Sequence, residues 1–431
     1  MTDFTRRRFL KQGISGAGAL AAGSLLGTSL WTTRMAFGAP GSNTDGRVVF
    51  IIMRGALDGL SAVPPYGDSA YAALRGALAV PPPGADGGGL KLDRLFALHP
   101  SLAFMHECFA ANELAVLHAA ATPYRERSHF DGQDVLESGI PMPHASESGW
   151  LNRALALRDR QSAQLGIALG ANVPLVMRGR AEVASWSPSK LANLSDDTLQ
   201  RVTDLYASDP LLAQRLADAL ASNAIAEEAQ PPQDAAMGAM SGEGARAADA
   251  AGGNAQRGGA ARYLETVRAL AGFLRRDDGP RVAVMETTGW DTHANEGGAQ
   301  GQLAQRLAAL DAGLREFRAA LGPAWSKTAV LMATEFGRTA ASNGTRGTDH
   351  GTGSAALLLG GAVAGGRVIA DWPGLNAGAL YQGRDLRPTL DLRSAMKELL
   401  HVQLQLSDRE LDETVFPGSA SAARLQGLIR A

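Results

Sequence analysis

Continuous apolar runs, each followed by a cluster of small and polar residues, set the pattern of this chain. Arg47-Val-Val-Phe-Ile-Ile-Met53, Glu113-Leu-Ala-Val-Leu-His-Ala119, Arg281-Val-Ala-Val-Met285, Thr328-Ala-Val-Leu-Met-Ala333 and Ser354-Ala-Ala-Leu-Leu-Leu359 lack the alternation of a half-exposed strand. Such runs predict strands buried on both faces, as in a mainly parallel sheet covered by helices. The segments between them supply the helices: one beginning near Ser101, one from Trp150 to about Arg160, a mainly helical region from Ser185 to about Asn223, and others over Ala261 to Arg276, Gln300 to Leu321 and a closing one through Leu400. Leu165 to Val176 predicts one or two short strands, and the Pro- and Gly-rich stretch from Tyr66 to Leu95 a surface excursion. The 281 run, the 300–321 helix and the 328 run read as a βαβ unit, so the fold class is α/β.

In a parallel sheet the residues just past the strands share one edge, and that is where an α/β protein keeps its chemistry. Past the first run come Arg54 and Asp58; past the second, Arg125, Arg127, Ser128, His129, Asp131 and Asp134 crowd one turn. Ser128 and Asp131 fit a helix cap, but the arginines beside a helix start fit an anion site. Asp291 and His293, two residues apart after the third run, can point the same way. Glu335 follows the fourth run, and Asp349-His350 sits between glycines that let the backbone turn. Each motif alone fits a turn or a cap. Together Asp58, Asp291, His293, Glu335, Asp349 and His350 make a candidate ligand set for Zn²⁺ or Mn²⁺.

The amino end stands apart. Thr5-Arg-Arg-Arg-Phe-Leu-Lys11 precedes a Gly/Ala-rich apolar stretch from about Ile14 to Trp31, and Ala36 and Gly38 suit a signal peptidase. Residues 1–38 read as a twin-arginine export signal, cleaved after Gly38 or Ala39. That predicts a partner in the twin-arginine machinery, a periplasmic or extracellular destination and no stable membrane span after cleavage, because five glycines between Gly13 and Gly27 suit spanning poorly. The leader holds five of the 41 basic residues and one of the 43 acidic, leaving a mature net charge of −6. No nucleic-acid partner is indicated.

Residues 46–431 are long enough for one large α/β domain, interrupted over 227–259 by an Ala-, Gly-, Pro- and Gln-rich insert. Cys108 is the single cysteine, excluding an intrachain disulfide; with Phe104 and Met105 one turn away it reads as a buried thiol.

Arg54-Gly-Ala-Leu-Asp-Gly-Leu60, Ser128-His-Phe-Asp-Gly-Gln-Asp134, Gly289-Trp-Asp-Thr-His-Ala-Asn295, Thr334-Glu-Phe-Gly-Arg-Thr339 and Gly347-Thr-Asp-His-Gly351, with the export signal, resemble the exported bacterial family called domain of unknown function 1501. More remotely the chain is similar to the alkaline phosphatase and sulfatase superfamily, including an Asp385-Leu-Arg-Pro-Thr-Leu390 segment near its end. That resemblance implies a three-layer αβα sandwich and one or two divalent ions (Zn, Mn or Ca), held by Asp291, His293, Asp349 and His350 with Asp58 or Glu335. It implies a substrate that is a small anionic ester or a sulfated or phosphorylated glycan. Ser128 stands where the superfamily keeps its nucleophile, beside His129, with Arg54 and Arg127 as anion ligands. The chain departs from that pattern in having Arg54, not Asp, directly after the first strand, and in lacking a sulfatase cysteine signature around Cys108. No Gly-x-Ser-x-Gly elbow is present in the mature chain. The expected activity is metal-dependent hydrolysis of phosphate or sulfate esters; the competing class is a binding or assembly protein that keeps the fold without turnover.

Overall fold

The computed structural model describes residues 45–158, 165–188, 196–230 and 253–430. The signal segment 1–38 lies outside them, as does most of the 227–259 insert.

The strands of the central sheet are β1 (Arg47–Arg54), β2 (Leu114–Ala121), β3 (Gly166–Leu169), β4 (Val183–Trp186), β5 (Val282–Thr288), β6 (Thr328–Ala333), β7 (Ser354–Leu359), β8 (Arg367–Ile369) and β9 (Leu390–Asp391). They form one nine-stranded sheet in the order β8-β2-β7-β6-β1-β5-β3-β4, with β9 also beside β2. β1 pairs in parallel with β5 and β6, β3 with β4 and β5, and β2 with β8 and β9, whereas β7 is antiparallel to β6 and β2. β5 and β6 flank β1 instead of touching, so their connection passes over it. Ser185 and Pro188, which suggested a helix start, bracket instead the end of the short edge strand β4.

The helices are α1 (Gly59–Ala62), α2 (Tyr71–Arg75), α3 (Ala103–Ala110), α4 (His129–Ser138), α5 (Trp150–Arg158), α6 (Asp196–Tyr206), α7 (Pro210–Glu228), α8 (Gly253–Leu274), α9 (Gln302–Leu321) and α10 (Leu392–Leu404). The chain divides into two compact units. Of the smaller, the described residues are 196–223, namely α6 and most of α7; the larger holds the sheet. The expected 227–259 insert is helical at both its described edges, in α7 and α8.

Alternation along β1 explains the layers. Val49, Ile51 and Met53 enter one core with Met105 and Cys108 of α3, Leu270 and Phe273 of α8, and Leu307, Leu314 and Phe317 of α9. Val48, Phe50 and Ile52 enter the other with Leu136 of α4, Trp150 and Leu155 of α5, and Met396 and Leu399 of α10. A strand buried on both sides needs no polar face, hence the unbroken apolar runs. Each such side chain contributes roughly 1.5–3 kcal/mol. In α9 the buried residues recur every three or four positions, from Leu303 through Leu307, Leu310, Leu314 and Phe317 to Leu321. Burial pushes the Cys108 thiol up to about 12, consistent with an inert core residue. Among the described residues no helix is long and apolar enough to cross a membrane.

Because β1, β5, β6 and β2 run the same way, residues 55–58, 289–296, 334–350 and 122–129 leave the sheet at one edge. β7 enters from that edge, directly after His350.

Candidate metal centre

Three imidazoles and one carboxylate meet above this edge. Nε2 of His350 lies 2.9 Å from Nε2 of His129 and 3.0 Å from Nε2 of His293. Oδ1 of Asp291 is 3.0 Å from His293 Nε2 and 3.3 Å from His350 Nε2, and its Oδ2 is 3.6 Å from His129 Nε2. His129, Asp291 and His350 place one ligand atom each within 4.8 Å of one another, a grouping that could hold a metal ion.

What stands behind the rings fixes their tautomers. His129 Nδ1 faces Oε1 of Glu335 at 2.8 Å, His293 Nδ1 faces Oδ1 of Asp349 at 3.4 Å, and His350 Nδ1 faces the Arg127 carbonyl at 3.0 Å. All three partners only accept, so each Nδ1 carries the proton and each neutral ring aims an Nε2 lone pair inward. Lone pairs 2.9–3.0 Å apart repel unless positive charge lies between them. An imidazolium proton supplies one such charge and a metal cation another. Oxygen acceptors behind inward-facing imidazoles are how proteins orient histidine ligands.

The surroundings are built for this convergence. Gly55, at φ +117°, donates its N–H to Glu335 at 2.9 Å, and a Cβ there would lie 2.7 Å from the Asp291 nitrogen. Gly347 lets the 343–350 loop cross the 292–293 backbone, where a Cβ would sit 2.4 Å from the His293 carbonyl. Arg127 adopts a left-handed φ of 63°, strained for a side chain of its size, and its carbonyl takes the His350 proton.

Charge is tuned to match. The Glu335 bond raises the pKa of His129. Burial lowers that of His350, helped by the neighbouring His129 and Arg338. Glu335 is wholly buried; burial alone would raise it, but bonds from His129, Gln133 and Gly55 hold it below the usual range. Asp291, 41% exposed, is likewise kept low, because the Arg338 guanidinium outweighs its partial burial.

The structure sorts the residues singled out from the sequence. Asp291, His293 and His350 face the centre, and His129, placed with Ser128 as catalytic, joins them. Glu335 and Asp349 stand one layer back, each holding an imidazole. Asp58 is spent elsewhere: it caps α1 by accepting from Leu60 and Ser61 N–H groups and pairs with buried Arg75. The arginines expected to clamp an anion all have partners within the protein. Arg54 is neutralised by Glu137 at 2.8 Å and by Glu286; Arg127 is neutralised by Asp385 and also donates to Gln382. Arg125 donates to the Thr122 and Tyr124 carbonyls. Ser128 occupies the cap position of α4, but its side chain makes no capping bond; its N–H goes to the Tyr124 hydroxyl at 3.1 Å. His144 pairs with Asp131 and Asp134, and the Tyr124 hydroxyl also donates to Asp131.

Two residues escaped the sequence reading. Arg338 is buried, donating to Asp291, to Thr348 Oγ1 at 3.1 Å and to the Thr348 carbonyl. Asn343 ties the His293 carbonyl at 2.9 Å to Asp349 at 3.0 Å. The available signal was their place in the loop joining Glu335 to Asp349. Beside the centre an open groove of about 870 Å³ is lined by Arg54, Gln133, Glu137, His144, Arg178 and Glu286, among others.

Fold and site together define an α/β protein with a histidine- and aspartate-lined, metal-type cluster at the carboxyl edge of its sheet. The chain belongs to the family described as Protein of unknown function (DUF1501), whose model matches residues 109–415. No curated protein matches the sequence. Among solved structures it is similar to Ps i-CgsB in complex with k-i-k-neocarrahexaose, at 9% identity over 88% of this chain and 77% of that one, with a TM-score of 0.35. A second structure of Ps i-CgsB matches at 10% identity over the same shares, with a TM-score of 0.37.

Proposed function

We propose that this chain is an exported, metal-dependent hydrolase of phosphate or sulfate esters, with His129, Asp291, His293 and His350 as its metal ligands. The convergence of three Nε2 lone pairs on one carboxylate carries this reading. A set of three nitrogens and one oxygen suits Zn²⁺ or Mn²⁺ and not Ca²⁺, which takes six to eight oxygens. A divalent ion held there supplies Lewis acidity toward an ester oxygen.

The protein's own residues do the rest. Glu335, Asp349 and the Arg127 carbonyl hold the three rings in their inward tautomers, and Arg338 holds Asp291 ionised and in place. Ser128, between the residue that supports His350 and the ligand His129, is the proposed nucleophile. The groove gives the leaving group, a glycan among the possibilities, room beside the centre. Export through the twin-arginine route to the periplasm or beyond rests on the Arg6-Arg7-containing leader.

The test is elemental analysis of the purified protein, wild type against an Asp291→Ala, His350→Ala double variant, followed by assays with aryl phosphate and aryl sulfate esters. Near-stoichiometric Zn or Mn that disappears in the variant, with ester turnover lost in Ser128→Ala, supports the hydrolase. A second reading, a binding or assembly protein without turnover, draws on the internal pairing of Arg54, Arg125 and Arg127. Metal without turnover of any ester would favour it. No metal after incubation with these ions would remove the hydrolase.

A further inference from the structure

The arginines first expected to clamp an anion are bonded within the protein, yet a different guanidinium, held on the backbone of His350, has donors to spare. Arg384 donates from Nη2 to the carbonyl of His350, which fixes the guanidinium against a ligand residue. Its Nε lies 3.6 Å from Oδ1 of Asp385, too far for a hydrogen bond. The side chain is 43% exposed. Asp385, by contrast, is wholly buried: Oδ2 accepts from Arg127 Nε at 2.9 Å, while Oδ1 has no hydrogen-bond partner among the described residues and is the atom turned toward Arg384. One buried carboxylate therefore holds Arg127, whose carbonyl supports the His350 ring, and attracts Arg384, which supports the His350 backbone.

We infer that Arg384 receives the tetrahedral oxyanion of a phosphate or sulfate ester at this centre, with Asp385 as the positioning residue behind it; this rests on the hydrolase reading above. A guanidinium offers parallel N–H groups that match two oxygens of such an anion, and among the described residues Arg384 uses a single side-chain N–H. The neighbouring arginines lack that freedom. Arg338 is buried on Asp291 and Thr348, Arg54 lies between Glu137 and Glu286, and Arg127 is held by Asp385 and Gln382. Asp349, whose carboxylate feels the Arg384 charge, is itself held by Asn343 and His293.

The experiment is calorimetric titration of inorganic phosphate and of inorganic sulfate into zinc-loaded wild type, Arg384→Gln, Arg384→Lys and Asp385→Asn proteins, with zinc content measured on each. The expected result is zinc retained in all four, with oxyanion binding about tenfold or more weaker in Arg384→Gln and intermediate in Arg384→Lys, which keeps charge but not the fork. Asp385→Asn should weaken binding less than Arg384→Gln. Oxyanion binding unchanged in Arg384→Gln, or absent from zinc-loaded wild type, would overturn the inference while leaving the metal centre standing. Loss of zinc in Arg384→Gln would also overturn it, making the residue a support for His350. Should wild type take up no metal, the hydrolase reading fails on that measurement alone. The Arg384→Gln comparison on metal-free protein then decides this inference by the same tenfold criterion.

Discussion

Two polar clusters sit at the same sheet edge, a few residues apart in sequence, and they are satisfied in opposite ways. Asp58, Arg75 and Glu296 are buried together with Ser61, Thr292 and Thr348. Arg75 pairs with Asp58 and lies 3.5 Å from Glu296, Ser61 Oγ donates to Glu296 Oε1 at 3.1 Å, and Glu296 Oε2 accepts from Thr292 and Thr348 hydroxyls at 2.9 and 2.8 Å. Burial and the Asp58 charge push Glu296 up to about 8, so one guanidinium suffices to balance the group. Its neighbours Asp291, His129, His293 and His350 are a quarter to a half exposed, and their ligand atoms face one another. An acid after a strand is thus no sign of a metal site by itself. What separates the two is whether every charge finds its partner inside the protein. The pair is also linked, because Thr292 lies between Asp291 and His293 and Thr348 beside Asp349, so Glu296 staples the two ligand loops together.

The largest effect should come from the closed cluster. Arg75→Met leaves the Asp58 carboxylate buried and uncompensated, which costs about 3–5 kcal/mol, read as a lower urea midpoint at unchanged slope. A loss under about 1 kcal/mol would mean that Asp58 takes up a proton or water enters, and the contrast would soften. The open cluster should respond to ligand instead. Zinc at about a hundredfold excess over its dissociation constant should stabilise wild type by about 2.7 kcal/mol and leave the Asp291→Ala, His350→Ala variant unmoved. A melting temperature indifferent to zinc in both proteins would put the two clusters in one class.

Next in size come the residues behind the rings. Glu335→Gln keeps the shape but removes the anion that holds the His129 proton, so zinc affinity should fall about 10–100-fold with little change in the metal-free melting temperature. Asp349→Asn should cost less, since its bond to His293 is longer, 3.4 Å against 2.8 Å, and more exposed. Equal affinity in both variants and wild type would show that these acids do not orient the rings.

This layering marks where sequence stops being legible. The apolar runs of β1, β2, β5 and β6 disclose buried strands, and the residues after them disclose the edge, because burial on two faces leaves no other pattern. They do not disclose strand order or the reversed direction of β7, whose residues are as apolar as those of its parallel neighbours. At the site, two-residue spacing brings Asp291 and His293 to one side. For the adjacent pair, His350 turns inward and Asp349 backs His293, a division set by the 343–350 loop passing over residues 292–293. Asp58 and Glu335 look alike as acids after apolar runs. One became a helix cap because Gly59, Leu60 and Ser61 begin a helix there, the other a ring support because His129 arrives from a loop about 200 residues away. Arg338 gave no signal beyond its place in the loop after Glu335, since the role of a buried arginine is defined by its partners, and Asp291 lies 47 residues away.

The last test of the comparison is one of pH. Glu296 has its ordinary value near 4.5 raised to about 8 in the folded protein, so folding favours its protonated form. A raised value means stability that is fully present below about pH 4.5 and is lost as pH climbs toward 8. Glu296→Gln keeps a neutral side chain able to bond Thr292 and Thr348 and does not titrate. Asp58 is held low, since the Arg75 charge and bonds outweigh its burial, so its own titration lies below this window, and Arg75 stays charged throughout it. Urea midpoints of the two proteins, measured at about pH 5, 6.5 and 8 in metal-free buffer, should therefore converge or cross as pH rises, the wild type losing ground to the variant. A difference that stays constant over that range would mean that Glu296 is ionised throughout, with Arg75 shared between two carboxylates. The closed cluster would then carry an unbalanced negative charge directly beneath the open one.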